Sequence, residues 1–383
     1  MGVQRIASDN TFASPNTTDR RIAVDSQADS CYFRSRAQPG RRKALLKITD
    51  RCDLRCAHCF VSATKAGNDM DLAKIELAVE RLIQANVSNV TVTGGEPLVH
   101  PDFLSILDVL VTNDLEVTVC TNGVSLNSTI VQHALKLGRV RFNVSLDGFS
   151  AESHGKFRGN RESFNVTVDG ATELAKAGLL KGILTTPNSL ANDDEYQQIF
   201  EFGERLGVEY VLMNPLSSFG RGIQSSKRLR AEDLAMSGIR RQILLSKKSE
   251  STTEAVFIRF PNDAKPLSNC IAGEILYVFV DGSTTVCPYL VFATDNPGSL
   301  YTGSDFIVAN LFNDDDFADL VNQYNFHDRY TVGANDTCRS CRMESSCGKG
   351  CPAAVIARGG LIGELDEEVC PVVSNTTRTL ACL

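Results

Sequence analysis

Between residues 41 and 215 the apolar positions follow two alternating periods. Strand-like runs recur at 44–49, 89–93, 116–120, 141–145, 182–186 and 209–213. The stretches between them carry apolar residues three and four apart. Leu72, Ile75, Val79, Leu82 and Ile83 form one such stripe, and Phe164, Val168, Ala171, Leu174 and Ala175, closed by Gly178, form another. Strands alternating with helices predict βα units on a parallel sheet, an α/β fold. Six units are too few to close an eight-stranded barrel. Further on, Asp281-Gly282 is a hairpin signal that predicts neighbouring strands bringing Cys270 and Cys287 together.

The segment after each strand is where a parallel barrel keeps its chemistry. Cys52-Asp-Leu-Arg-Cys56-Ala-His-Cys59-Phe60 follows the first strand, Gly94-Gly95-Glu96-Pro97 the second, Thr121-Asn122-Gly123 the third and Ser145-Leu146-Asp147-Gly148 the fourth. Pro187-Asn188 and Asn214-Pro215 follow the fifth and sixth. Any one of these is an ordinary turn by composition. Three thiolates in so short a loop can hold three corners of an iron-sulfur cubane and leave the fourth iron open. An open position suits catalysis, whereas a structural site is closed by the protein. A zinc site and a cluster used only for electron transfer are the plainer alternatives.

The flanking regions read differently. Residues 1–40 are polar and aperiodic, a loose N-terminal tail in which Cys31 is a free thiol. Residues 216–265 form a bridging segment with a flexible loop at Ser217–Gly222 and a basic helical stretch near Leu229–Lys247, whose charges suit a solvated face. Arg221 either faces the barrel mouth or solvent.

With 383 residues, 43% hydrophobic content and a net charge of -7, the chain has the composition of a soluble globular protein. It lacks the basic excess of a nucleic-acid binder and any apolar run long enough to span a membrane. Arg5 is followed by no apolar stretch of the kind a secretory signal needs. The expected location is therefore cytoplasmic, where 13 cysteines are more readily metal ligands than disulfides.

The CxxxCxxC spacing closed by Phe60 resembles the radical S-adenosylmethionine (radical SAM) enzymes. In that family the open iron of a 4Fe-4S cluster chelates SAM, and reduction cleaves the sulfonium to a 5'-deoxyadenosyl radical. The resemblance implies a partial (β/α)6 TIM-like barrel over 41–215. It also implies that Gly94, Gly95, Glu96 and Pro97 bind the methionine ammonium, glycines allowing close approach and Glu96 accepting from a cation. Ser145, Asp147 and Arg158, with His154 nearby, match the segment that contacts the ribose and carboxylate of SAM. Phe60 would lie beside the adenine.

Residues 266–383 carry a second resemblance. Cys270, Gly282 and Cys287, then Cys338, Cys341, Cys347, Cys351 and Cys370, are similar to the seven-cysteine SPASM extension, whose members hold two auxiliary 4Fe-4S clusters. A zinc ribbon at Cys338–Cys351 is the competing reading. Carried over, Cys338, Cys341, Cys347 and Cys370 would close an outer cluster, and Cys270, Cys287 and Cys351 would hold an inner one. Residues 271–286 contain no cysteine for the remaining iron, so it is open or takes a non-cysteine ligand, unless Cys382 folds back.

The resemblance implies SAM, three 4Fe-4S clusters and hydrogen abstraction from a substrate carbon, with a flavodoxin- or ferredoxin-type reductant. Substrates of SPASM enzymes are commonly ribosomally made peptides, so an oxidative peptide maturase is the first expectation. Forty polar residues before the first strand leave no room for a peptide-recognition domain, which implies a separate recognition protein. Pro288, where sulfatase maturases carry an acid-base aspartate, disfavours that branch. The alternatives are a dehydrogenase or epimerase of a small metabolite such as an aminocyclitol or sugar, with Cys120 as a candidate hydrogen donor, or an iron-sulfur electron carrier without SAM chemistry.

Overall fold

A computed structural model describes residues 22–23, 40–260, 266–267, 270, 272–273 and 275–373. Cys31, Cys382 and nearly all of the N-terminal tail lie outside the described residues. The strands are β1 (Ile22–Ala23), β2 (Arg42–Lys47), β3 (Val87–Thr93), β4 (Glu116–Thr121), β5 (Val140–Ser145), β6 (Leu180–Thr185), β7 (Tyr210–Met213), β8 (Glu254–Ile258), β9 (Ile275–Val278), β10 (Ser283–Thr285) and β11 (Ala309–Asn310). They form one sheet in the order β1-β8-β7-β6-β5-β4-β3-β2-β9-β10-β11.

From β2 to β8 every neighbouring pair is parallel, and the long crossovers are helical. This is the parallel α/β sheet that the two periods predict, in the partial barrel that the resemblance implies. All six expected strands are present, and the structure adds a seventh. β8 pairs with β7 although it lies inside the stretch read as a bridge. Its five residues are too short to stand out after the helices Gly222–Leu229 and Asp233–Ser246, which form the crossover to it.

On the other edge, β9 pairs in parallel with β2, so the cysteine-rich C-terminal region continues the barrel sheet. The hairpin signal holds, since β9 and β10 pair antiparallel across Asp281-Gly282. Cys270 and Cys287 flank the base of that hairpin, outside its strands.

Side-chain alternation explains how the strands serve two environments. Val90 and Val92 of β3, Val117 and Val119 of β4, and Phe142 and Val144 of β5 share one core with Ile75, Val79 and Leu82 of the helix Leu72–Gln84. Each such side chain contributes about 1.5–3 kcal/mol on burial. The residues between them point the other way. Thr93, Cys120, Ser145, Leu184 and Leu212, one from each of β3 to β7, line a single cavity. Among the described residues no helix is long and apolar enough to cross a membrane.

Candidate functional site

That cavity sits at the C-terminal ends of the barrel strands. Cys52, Cys56, Cys59, Phe60, Gly94, Gly95, Glu96, Ser145, Asp147 and Arg158 line it, and Arg221 faces it as well. Pro97 and His154 are buried but do not line it. Pro97 opens a single 3-10 turn, Pro97–Val99, capped by the Glu96 side chain.

The cysteine loop is held from four directions. Gly95 donates its N–H to Thr49 O at 2.9 Å and Glu96 its N–H to Arg51 O at 2.8 Å. A Cβ on Gly94 would stand 2.7 Å from Thr49 O, and one on Gly95 only 2.3 Å from Arg51 O. The glycines thus allow two strand ends to touch, an approach to the chain itself that the expected ligand contact did not include. From the far side, Arg221 donates Nε to Cys56 O at 2.8 Å and Nη1 to Ala63 O at 2.6 Å. Its neighbour Gly220 has φ +50° and packs where a Cβ would meet Phe60 O at 2.4 Å. Ser225 Oγ donates to Ala57 O at 2.7 Å, and Ala57 N donates to Phe157 O at 2.8 Å.

Charge in the cavity is arranged in layers. Glu96 Oε1 accepts from Thr121 Oγ1 at 2.7 Å and from Leu98 N at 3.1 Å, and Oε2 accepts from Asn122 N at 2.7 Å. Burial nevertheless outweighs these bonds and, with Asp53 nearby, pushes the Glu96 carboxyl up to about 7. Asp147 Oδ2 accepts from Arg158 Nε at 2.7 Å, and Oδ1 accepts from Thr186 N at 2.8 Å. Burial works against its charge, but Arg158 overcomes it and holds the carboxyl below the usual range.

His58 stacks on Phe157 with ring centroids 4.6 Å apart, and burial pushes it down to about 4. His154 Nδ1 accepts from Asp147 N at 3.1 Å, which makes it a structural support for that turn. Burial pushes the Cys56 thiol up to about 11 against the pull of Arg158, and the Cys120 thiol up to about 12. Asn143 Nδ2 lies 3.7 Å from Cys120 Sγ.

The C-terminal cysteines fall into two groups. Cys338, Cys341, Cys347 and Cys370 line one cavity. Cys270, Cys287 and Cys351 share a larger one. Within each group the thiols interact electrostatically, Cys287 with Cys270 and Cys351, and Cys338 with Cys370 and Cys347. Among the described residues no three or more His, Cys, Asp or Glu side chains form a site for a single metal ion.

Tyr289 lies on the wall between the larger cavity and the barrel cavity, lining both. Its ring stacks on Phe219 at 5.3 Å and meets the edge of Phe60 at 6.2 Å. Phe60 in turn leans on Phe292 at 5.3 Å. Tyr289, His58 and the clamping role of Arg221 were not legible as site features. Arg221 lies 165 residues from the carbonyl it holds, and local pattern carries no signal for such a contact.

A family model described as the radical SAM superfamily matches residues 46–203. The AdoMet-dependent heme synthase of Methanosarcina barkeri is 31% identical over 183 residues, 47% of this chain and 52% of that protein. The chain thus spans about half the length of that relative. Mycofactocin maturase MftC of Mycobacterium ulcerans is 25% identical over 321 residues, 82% of this chain and 83% of that protein. Among solved structures, Streptococcus suis SuiB bound to S-adenosylmethionine matches with a TM-score of 0.66 at 16% identity, covering 85% of this chain and 76% of that one, a likeness of fold.

Proposed function

We propose that this chain is a radical SAM enzyme, one that cleaves SAM reductively and oxidises a carbon of a ribosomally made peptide. The family implies SAM and one 4Fe-4S cluster. The donor set fits that cluster. Three thiols of one loop line the cavity, and among the described residues buried His58 Nδ1 beside them has no hydrogen-bond partner. Arg158 Nη1 also lies 3.9 Å from Cys56 Sγ, which places a cation beside the sulfur. When bound, the cluster would supply the electron that cleaves SAM to methionine and the 5'-deoxyadenosyl radical, and positioning falls to the protein.

In this reading Cys52, Cys56 and Cys59 hold the cluster, and Glu96 takes the methionine ammonium beside Gly94 and Gly95. Pro97 shapes that turn. Arg158, oriented by Asp147, takes the carboxylate, Ser145 the ribose and Phe60 the adenine. Cys338, Cys341, Cys347 and Cys370 hold an outer auxiliary cluster, and Cys270, Cys287 and Cys351 an inner one. Clusters held by these cysteines would supply a way out for the substrate electron, which suits oxidation. A separate recognition protein presents the peptide, and a flavodoxin- or ferredoxin-type protein supplies electrons.

The observation that carries the reading is the convergence of the three loop cysteines, Glu96, Ser145 and Arg158 on one cavity, with two further cysteine groups beside it. The peptide substrate is supported by the similarity to a mycofactocin maturase along 82% of the chain.

Anaerobic reconstitution, reduction with dithionite and mass spectrometry of the SAM products test it. 5'-Deoxyadenosine carrying deuterium from a labelled peptide is the expected result. Intact, reducible clusters that release no 5'-deoxyadenosine would overturn it. One observation favours a second reading, epimerisation of a small metabolite. Cys120 faces the same cavity as a thiol that burial keeps protonated, the form a hydrogen-atom donor needs.

A further inference from the structure

The two C-terminal cysteine groups meet at one buried carboxylate. Asp366 is 1% exposed. Its Oδ2 accepts the backbone N–H of Cys351 at 2.8 Å, and its carbonyl oxygen accepts the N–H of Cys370 at 3.0 Å. Cys351 belongs to the group with Cys270 and Cys287, whereas Cys370 belongs to the group with Cys338 and Cys347. The chain is folded tightly around this side chain. Gly350 has φ +96°, and a Cβ on it would stand 2.4 Å from the Asp366 Cβ.

The balancing charge comes from the barrel. Arg259 is the first residue after β8, and its Nη1 donates to Asp366 Oδ2 at 2.9 Å across 107 residues of sequence. The same guanidinium reaches Glu368 and interacts with the Cys351 thiol. Arg259 has φ +52°, a left-handed backbone that side-chain-bearing residues disfavour, so the surrounding contacts must hold it there. Arg358 approaches the other oxygen of Asp366 at 3.5 Å. None of these residues touches the SAM cavity.

We infer that Asp366 and Arg259 are positioning residues for the inner auxiliary cluster. Asp366 fixes Cys351 at the seam between the two cysteine groups, and the Asp366–Arg259 ion pair sets the charge that the inner cluster experiences. The inference rests on the reading of those cysteines as cluster ligands. Net charge, hydrogen bonding and burial set the potential of an iron-sulfur cluster, and charges this deeply buried are poorly screened. Removing the carboxylate leaves a positive charge that favours the reduced cluster. Removing the guanidinium leaves a negative charge that opposes it.

The test uses full-length Cys52→Ala/Cys56→Ala/Cys59→Ala protein, so that only auxiliary clusters are read. Iron and sulfide are counted after anaerobic reconstitution, and a redox titration is followed by electron paramagnetic resonance. The parent is expected to hold about eight irons with two midpoint potentials. One potential rises in Asp366→Asn, falls in Arg259→Gln, stays in Arg259→Lys and returns toward the parent value in the Asp366→Asn/Arg259→Gln combination. A merely structural role would move both single variants in the same direction. That result, or unmoved potentials with full iron, overturns the inference while leaving the cluster reading intact. A parent without two 4Fe-4S clusters overturns both. If Asp366→Asn takes up no iron, the contrast between Arg259→Gln and Arg259→Lys decides by itself.

Discussion

Arg158 and Asp147 form a buried ion pair at the edge of the barrel cavity, with Nε 2.7 Å from Oδ2 and side chains 8% and 1% exposed. The second arm of the arginine lies 3.9 Å from Cys56 Sγ. One carboxylate therefore holds the cation that faces both the cysteine loop and the place proposed for the SAM carboxylate.

Asp147→Asn keeps the size of the side chain and an oxygen for Thr186 N but leaves Arg158 charged, buried and unpaired. Breaking a buried pair from one side costs about 3–5 kcal/mol. The variant is expected to unfold at a lower temperature by calorimetry and to bind SAM more weakly by equilibrium dialysis. Unchanged values of both would show that Arg158 needs no carboxylate partner.

Arg221 tests the loop itself. Its two bonds to Cys56 O and Ala63 O tie the cysteine loop to the segment after β7. Each hydrogen bond from a charged donor is worth about 1.5–3 kcal/mol. Arg221→Ala should lose iron from the SAM-binding cluster selectively and retain about eight irons on the auxiliary cysteines. Iron and sulfide analysis of the reconstituted variant reads this directly. Equal loss from all three clusters would mean that Arg221 supports the whole fold and not the loop.

The parallel sheet and its helices were legible because period-2 and period-3.6 patterns are local. Val90, Val92, Val117 and Val119 announce strands wherever they sit. The division of the C-terminal cysteines between two cavities has no local signal, since nothing in their spacing says that Cys351 sides with Cys270 and not with Cys347. β8 was missed because five residues carry too little periodicity, and the pairing of β9 with β2 because a sheet edge can be joined by any strand. Tyr289, Arg259 and Asp366 owe their roles to contacts between segments distant in sequence. His154 was legible as a residue near the site, and its Nδ1 bond to Asp147 N shows it to be part of the scaffold.

Glu96 gives the cavity a dependence on pH. Burial raises its folded-state value to about 7 from an ordinary 4.5. The folded chain therefore binds this proton more tightly than the unfolded chain does. Its contribution to stability is greatest below the ordinary value and is lost as pH rises through about 7. In the proposed role of Glu96, SAM binding runs the opposite way, because a methionine ammonium needs the ionised carboxylate. Affinity for SAM should fall about tenfold per pH unit once the solution lies well below pH 7, the slope of one proton taken up by the free enzyme. Glu96→Gln should bind SAM weakly at every pH and show no such slope. Equilibrium binding between pH 5.5 and 8.5 checks this, and a slope that survives in Glu96→Gln would assign the proton elsewhere.

Cys120 separates oxidation from epimerisation. It faces the cavity from the end of β4, and burial holds its pKa at about 12, so it carries a proton at any physiological pH. A thiol that returns a hydrogen atom to a substrate radical exchanges that hydrogen with solvent between turnovers. In deuterium oxide an epimerase using Cys120 would place solvent deuterium on the product carbon, and Cys120→Ala would abolish both that label and the epimerised product. An oxidation needs no returned hydrogen. The peptide reading therefore expects no solvent deuterium at the attacked carbon, and Cys120→Ala should leave the ratio of 5'-deoxyadenosine to product unchanged. Mass spectrometry of the product in heavy water decides between them. Solvent label in the wild-type product that disappears in Cys120→Ala would replace the oxidative reading with the epimerase.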